Sequence, residues 1–163
     1  AGGGPPAAGP PAGDGRGVLR SGRVVRVVDG DTIDVASRGV RVRVRLLGID
    51  TPESVRPGRP VECGAKQASR FMRRAALGVR VRLSTDPTQD ARDRYGRVLA
   101  YVRPAAGGSL LQVRALRAGW ARVYVYRKRF RLYRAFRRAE LEARRARRGV
   151  WGMCRGDFHR PAR

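Results

Sequence analysis

Acidic side chains cluster near the start of a chain that is otherwise strongly basic. Five of the 13 Asp and Glu residues fall within 25 consecutive positions: Asp29, Asp31, Asp34, Asp50 and Glu53. Carboxylates held close together repel one another unless a cation or an arginine neutralises them, and hard cations such as Ca²⁺ and Mg²⁺ take oxygen ligands. The cluster therefore indicates a divalent-cation site.

Two short segments supply these carboxylates. In the Asp-Gly-Asp-Thr run at 29–32, glycine permits a sharp turn that could present two carboxylates together; the alternative is a plain hairpin turn that binds nothing. The segment 48–53 ends in Asp-Thr-Pro-Glu and offers two more carboxylates, although Pro52 could simply end a strand. The two segments together, with Arg45 between them, favour a metal site more strongly than either does alone.

The near absence of histidine narrows the chemistry. His159 is the only histidine, so mechanisms that need a histidine pair and His-rich zinc sites are nearly excluded. What remains for phosphodiester cleavage is a metal held by carboxylates, with arginines to stabilise developing negative charge. His159 itself is predicted to be a solvated tail residue.

The charge balance predicts a polyanionic partner. Lys and Arg number 37 against 13 Asp and Glu, a formal charge of +24. Nucleic acid is the first candidate, and an anionic membrane or cell-wall surface is the rival. Lys66 and Lys128 are the only lysines, so a compositional bias toward arginine explains much of the excess. No run approaches the roughly 20 apolar residues that span a bilayer.

Short β-branched runs predict the strands that carry the candidate residues. These runs are 23–28, 32–37, 40–47, 79–84 and 97–102. In the third run apolar residues alternate with Arg41, Arg43 and Arg45, so the three guanidinium groups are expected on the face opposite the core.

Three helices complete the prediction. The first runs from Ala65 to Gly78, the second opens with a Ser109 and Gln112 capping box, and the third spans 132–146. Five strands with a helix after the third predict an α+β, β-rich fold: a five-stranded OB-type Greek-key barrel with three helices.

Composition divides the chain into three parts. We expect a disordered Gly/Pro/Ala-rich tail at 1–17, one domain at 18–154 and a flexible basic C-terminal tail at 155–163.

Three motifs, in this order and spacing, resemble the staphylococcal nuclease (thermonuclease) family. They are Val-Asp-Gly-Asp-Thr at 28–32, Arg-Leu-Leu-Gly-Ile-Asp-Thr-Pro-Glu at 45–53 and Asp-Arg-Tyr-Gly-Arg-Val-Leu-Ala-Tyr at 93–101. The resemblance covers roughly residues 20–152. It implies a calcium-dependent phosphodiesterase that hydrolyses DNA and RNA, breaks the bond to the 5′ oxygen and leaves 3′-phosphate ends.

The resemblance also implies roles for individual residues. The Ca²⁺ ligands would be Asp31, Asp50 and the Thr51 carbonyl, with Asp29 acting at longer range. The catalytic residues would be Glu53 as general base and the phosphate-binding pair Arg45 and Arg97. The substrate-binding residues would be Arg94, Tyr95, Tyr124 and Tyr126. The alternative for Tyr124 and Tyr126 is that they pack in the core.

Two cysteines depart from the familiar family member. Cys63 and Cys154 could form a disulfide if the C-terminus folds back over the first helix, and related secreted sequences carry Cys in similar places. The alternative is two free thiols. A disulfide and family habit point to a secreted or cell-surface protein, and the family default is a monomer.

Two non-enzymatic functions compete with the nuclease. One is a catalytically silent binding module, in which the acidic ligands and arginines are typically lost; here all the matching positions are filled. The other is a basic protein that docks on anionic surfaces through its arginine-rich helix at 131–148, which could also be a weak secondary role of an enzyme.

Overall fold

The structure is a computed structural model that describes residues 20–54 and 57–162. The predicted N-terminal tail at 1–17 lies outside the described residues. Within the described ranges, no helix is long and apolar enough to cross a membrane.

Five strands close into a barrel. They are β1 (Arg20–Asp29), β2 (Thr32–Ser37), β3 (Val40–Leu46), β5 (Arg80–Ser84) and β6 (Val98–Pro104). Around the barrel they follow the order β1-β2-β3-β6-β5, with β3 and β6 parallel and the other pairs antiparallel. Two short strands, β4 (Ile49–Asp50) and β7 (Arg122–Val123), pair outside it. The predicted α+β barrel is confirmed.

Helices pack on the barrel through apolar stripes. They are α1 (Ala65–Ala76), α2 (Leu111–Arg117), α3 (Tyr133–Arg145) and the short α4 (Val150–Met153). In α1, Ala68, Met72 and Ala75 are buried at spacings of four and three, whereas Arg70 and Arg73 are exposed. The helix packs against β1, so its exposed basic face lies beside the strand that ends at Asp29.

Gln112 does not form the predicted capping box. The residue before α2 is Leu110, and no side chain caps this helix. The Gln112 side chain is instead buried: its oxygen accepts from the Val102 N–H at 3.2 Å, and its nitrogen donates to the Ala100 carbonyl at 2.9 Å. Buried backbone groups need hydrogen-bond partners, and the Gln112 amide supplies them to the backbone of β6 instead of capping α2.

The C-terminal residues, expected to form a flexible tail, contact the domain near α1. Cys63 and Cys154 form a disulfide with a Cα–Cα distance of 5.9 Å. Beyond it, the Arg160 carbonyl accepts from the Cys63 N–H at 2.6 Å, and the buried Phe158 packs on Trp151 with ring centroids 5.0 Å apart. We call residues 154–162 the C-terminal strap.

Candidate active site

The turn between β1 and β2 brings two buried carboxylates together. The Asp31 N–H donates to Asp29 Oδ1 at 3.0 Å, and the Thr32 hydroxyl donates to Asp31 Oδ1 at 3.0 Å. Asp29 and Asp31 are 7% and 5% exposed. This arrangement contains the hydrogen bond of an ordinary Asp turn, yet it also places a second carboxylate in the interior.

The Gly30 backbone packs against the Thr51 side chain and so joins this turn to the segment after β3. A Cβ atom on residue 30 would lie only 2.8 Å from Thr51 Oγ1, so a larger residue would force the Thr51 side chain to move. The Thr51 N–H then donates to Asp31 Oδ2 at 3.1 Å. The two acidic motifs, separated in sequence, therefore meet at Asp31 and Thr51.

Arg45 turns toward this junction. Its Nη1 donates to the carbonyls of Leu46 at 2.8 Å and Ile49 at 2.7 Å, and its Nη2 lies 3.4 Å from Asp31 Oδ2. Only 14% of its side chain is exposed, compared with 56% for Arg41 and 48% for Arg43. The prediction that Arg41 and Arg43 face away from the core holds, whereas Arg45 folds back because the carbonyls after β3 and the Asp31 charge attract it.

The pKa values show how this cluster is balanced. Burial and the neighbouring Asp31 charge raise the pKa of Asp29 well above its usual range. Burial would also raise the pKa of Asp31, but Arg45, Asp29 and the Thr51 N–H hold it below its usual value. Burial therefore disfavours a second negative charge beside Asp31, which Arg45 contacts.

Glu53 belongs to the same neighbourhood. Its charge contributes to the raised pKa of Asp29, and its backbone N–H donates to Glu62 Oε1 at 2.7 Å. Glu62 thus anchors the backbone of the residue predicted to act as general base. This role of Glu62 was not predicted from the sequence.

Asp50 lies at the same edge but is bonded to different partners. Its Oδ2 accepts from Arg122 Nε at 3.0 Å and lies 3.0 Å from His159 Nε2, while His159 Nδ1 lies 3.0 Å from Glu62 Oε2. Asp50 and Arg122 are register partners of β4 and β7, and such cross-strand neighbours are close enough to form an ion pair. His159, predicted to be a solvated tail residue, is 51% exposed and bridges two carboxylates.

The expected convergence of carboxylates is only partly present. Among the described residues, no three or more His, Cys, Asp or Glu side chains are grouped so that they could hold a metal ion. Asp29 and Asp31 meet, whereas Asp50 is directed to Arg122 and His159 by the β4–β7 register. Each of these bonds ends on Oδ2 of Asp50, and the described residues make no hydrogen bond to its Oδ1.

The donors at this junction are of the chemical type that a hard divalent cation takes. The Asp29 and Asp31 carboxylates are oxygen donors buried side by side, and among the described residues Arg45 is the cation paired with Asp31. Thr51 is bonded to Asp31, and Asp50 precedes it, so further oxygen donors lie next to the pair. A cation here would offset the burial and the Asp31 charge that together raise the pKa of Asp29.

Arg97 is positioned by a salt bridge within its own loop. Its Nε donates to Asp93 Oδ2 at 2.6 Å, and its backbone N–H donates to Asp93 Oδ1 at 3.0 Å. Arg97 directly precedes Val98, the register partner of Val44, so Arg97 enters β6 beside β3, the strand that carries Arg45.

The predicted substrate-binding residues are exposed at the same edge of the barrel. Tyr95, Tyr124 and Tyr126 are 68%, 43% and 53% exposed. The Arg94 guanidinium lies 4.8 Å from the Tyr95 ring centroid, and the Tyr124 N–H donates to the Gly48 carbonyl at 2.9 Å. The alternative that Tyr124 and Tyr126 pack in the core is wrong.

Four residues near the site escaped sequence reasoning: Glu62, Asp93, Arg122 and His159. Asp93 lay inside a recognised motif, and its four-residue spacing from Arg97 could have signalled an ion pair. The contacts of Arg122 and His159 with Asp50 join residues that are 72 and 109 positions apart in the sequence. Sequence periodicity does not predict contacts over such separations.

Comparison with known proteins identifies the family that this sequence matches. The family model described as staphylococcal nuclease homologue matches residues 43–153. The thermonuclease of Staphylococcus hyicus is 36% identical over 129 residues, which are 79% of this chain and 74% of that protein. The thermonuclease of Staphylococcus intermedius is 38% identical over 128 residues, covering 78% and 74%. Endonuclease YncB of Bacillus subtilis (strain 168) is 37% identical over 127 residues, covering 77% and 59%.

Proposed function

The chain belongs to the family of staphylococcal nuclease homologues, and from this premise we propose that it is a calcium-dependent nuclease. It hydrolyses DNA and RNA, breaks the bond to the 5′ oxygen and leaves 3′-phosphate ends. The observation that carries the proposal is the meeting of the two acidic motifs, in which Asp31 accepts from Thr51 and contacts Arg45.

Asp31, Asp50 and the Thr51 carbonyl would hold the cation, with Asp29 at longer range. Bound Ca²⁺ supplies Lewis-acid polarisation of a phosphoryl oxygen. The protein fixes this region through the buried turn at 29–32, and Arg122 and His159 orient Asp50 through its Oδ2.

Glu53 acts as the general base. Its carboxylate takes a proton as the water oxygen forms a bond to phosphorus, and the bond from phosphorus to the 5′ oxygen breaks. The leaving 5′ oxygen takes up a proton from solvent water, so the products are a 3′-phosphate and a 5′-hydroxyl. Glu62 supports this role because it binds the Glu53 backbone N–H.

Arg45 and Arg97 stabilise the charge that develops on the phosphate. Each guanidinium is already oriented, Arg45 by two backbone carbonyls and Arg97 by Asp93. Fixed donors of this kind favour the transition state over the ground state, since little reorganisation is needed when charge appears.

Tyr124 and Tyr126 stack on bases of the substrate. Exposed aromatic rings bind bases with little sequence preference, as a general nuclease requires. The disulfide further supports a secreted or cell-surface location, since disulfides persist in oxidising compartments.

Cleavage with defined ions tests the proposal. Single-stranded DNA and RNA are incubated with the protein in Ca²⁺ or in chelator, and product ends are identified by mass. We expect Ca²⁺-dependent cleavage with 3′-phosphate products, and Glu53→Gln is expected to reduce the rate about 10²-fold. Equal cleavage in chelator, or 5′-phosphate ends, would contradict the proposal. Binding without cleavage would identify a silent binding module.

A further inference from the structure

A basic cleft of about 350 Å³ lies along α1, next to the candidate active site. Its lining consists of Val28, Ser54, Lys66, Ser69, Arg70 and Arg73. Val28 directly precedes Asp29, and Ser54 directly follows Glu53. The cleft therefore opens beside the carboxylates and continues away from them along the helix.

Three cations form a row in this cleft. Lys66, Arg70 and Arg73 stand at i, i+4 and i+7 on one exposed face of α1, opposite the buried Met72. Seven residues of helix span about 10.5 Å along the axis. Backbone phosphates of one strand are about 3.4 Å apart along a duplex axis and farther apart in an extended single strand, so the row spans about two to three of them.

Lys66, Arg70 and Arg73 take no part in the ion pairs that the structure shows between described residues. The carboxylates of those pairs are Asp31, Asp34, Asp50, Glu62, Asp93, Glu140 and Glu142. The contrast is a second basic cleft, of about 280 Å³, lined by Arg26, Asp34, Arg41 and Arg43. There the buried Asp34 contacts Arg41 at 3.1 Å and Arg43 at 2.8 Å, so part of the positive charge of this second cleft is already paired. The α1 cleft keeps its charge available for an external anion.

Ser69 adds an unsatisfied group to the same cleft. The residue is 4% exposed, and its Oγ is buried with no hydrogen-bond partner among the described residues. A buried hydroxyl without a partner is unfavourable. Rotation of this hydroxyl toward an anionic oxygen bound in the cleft would give it one.

We propose that the α1 cleft is an extended subsite that binds backbone phosphates of single-stranded nucleic acid, about two to three nucleotides beyond the cleaved bond. This inference rests on the proposed nuclease function and adds a preference for longer strands. A strand held by Arg45 and Arg97 continues past Val28 and Ser54 onto Lys66, Arg70 and Arg73. Each contact releases counterions, so binding through the cleft depends strongly on salt.

A matched pair of triple variants tests the subsite. The cleft variant is Lys66→Gln/Arg70→Gln/Arg73→Gln. The control, Arg38→Gln/Arg80→Gln/Arg82→Gln, removes the same charge from exposed positions in the β2–β3 turn and β5. Binding of a fluorescein-labelled oligothymidine of roughly 20 nucleotides is followed by anisotropy in chelator, and cleavage of this strand and of a trinucleotide is followed in Ca²⁺. Thermal melting establishes that both variants fold.

The cleft variant is expected to bind the long strand about tenfold more weakly, and its log–log salt dependence should fall in magnitude by about 2. Its trinucleotide cleavage should stay within about twofold of wild type, and the control variant should lose less than about threefold in binding. Equal losses in both variants, or an equal loss on the trinucleotide, would overturn the subsite. If the wild-type protein cleaves nothing, the proposed activity fails, while the binding measurements still decide the subsite.

Discussion

The two sides of the candidate site are built in different ways. On one side, Asp29, Asp31 and Arg45 come from neighbouring strands of the barrel, and the longest bond of this group, from Thr51 to Asp31, spans 20 residues. On the other side, Asp50 contacts Arg122 and His159 across 72 and 109 residues. The barrel side is buried in the main core, whereas the strap side depends on the chain end.

This difference suggests different roles for the two sides: the barrel side carries the proposed chemistry, and the strap side supports it. Burial and the Asp31 charge raise the pKa of Asp29, and such shifts are common at functional sites, which supports the proposed cation site. The contacts of Asp50 are ordinary ion pairs, and half of the His159 side chain is exposed. We therefore expect substitutions on the barrel side to abolish turnover and those on the strap side to change stability or metal affinity.

Removal of the disulfide is expected to have the largest effect on stability. Cys63 and Cys154 are 91 residues apart, and in the chain-entropy model such a cross-link stabilises the folded state by about 4 kcal/mol. Cys63→Ser/Cys154→Ser should lose about that much in urea denaturation, and reduction of the wild-type protein should reproduce the loss. A change below about 1 kcal/mol would show that the strap holds without its covalent link.

Arg45→Gln tests the barrel side directly. We expect kcat on single-stranded DNA to fall by about 10²-fold or more, because a fixed donor to the transition state is lost. Arg43→Gln is the matched control on the same strand, since Arg43 pairs with Asp34. Its kcat should remain within about threefold of wild type. Similar losses in both variants would remove the distinction between the two arginines.

Asp86 is a buried carboxylate that belongs to neither side of the candidate site. Burial would raise its pKa, but hydrogen bonds from Tyr101, Thr88 and the Arg131 N–H hold it below the usual value. The folded state thus gains stability above the unfolded pKa of about 3.8 and loses it as pH falls through the lower folded value. Asp86→Asn should cost about 2 kcal/mol at pH 7 and little near pH 2, with kcat unchanged. A pH-independent loss would contradict this origin.

His159→Ala should have the smallest effect. Loss of one partner of Asp50 is expected to weaken Ca²⁺ binding about threefold, because groups that orient a ligand contribute to metal affinity. The control is Arg160→Ala, since Arg160 joins the strap through its backbone carbonyl. Calcium titration of both variants decides the matter, and unchanged or tighter binding in His159→Ala would show that His159 does not support Asp50.

Much of the barrel side was predictable from the sequence, and the strap side was not. Strand periodicity and the turn at 29–32 report local geometry, so β1 to β3 and the acidic turn followed from the residues. The inward rotation of Arg45 depends on the carbonyls of Leu46 and Ile49, which come within reach only because the chain turns at 46–49. The Asp50 contacts require β7 and the strap to return to the barrel, and sequence spacing does not encode that return.

Calcium binding measured by isothermal titration calorimetry tests the central claim most directly. Wild-type protein should bind one Ca²⁺, and Asp31→Asn should abolish this binding while it retains a cooperative thermal transition. Asp34→Asn, at a buried carboxylate already paired with Arg41 and Arg43, should bind like wild type. No binding by the wild-type protein, or equal binding by Asp31→Asn, would contradict a cation site at the junction of the two acidic motifs.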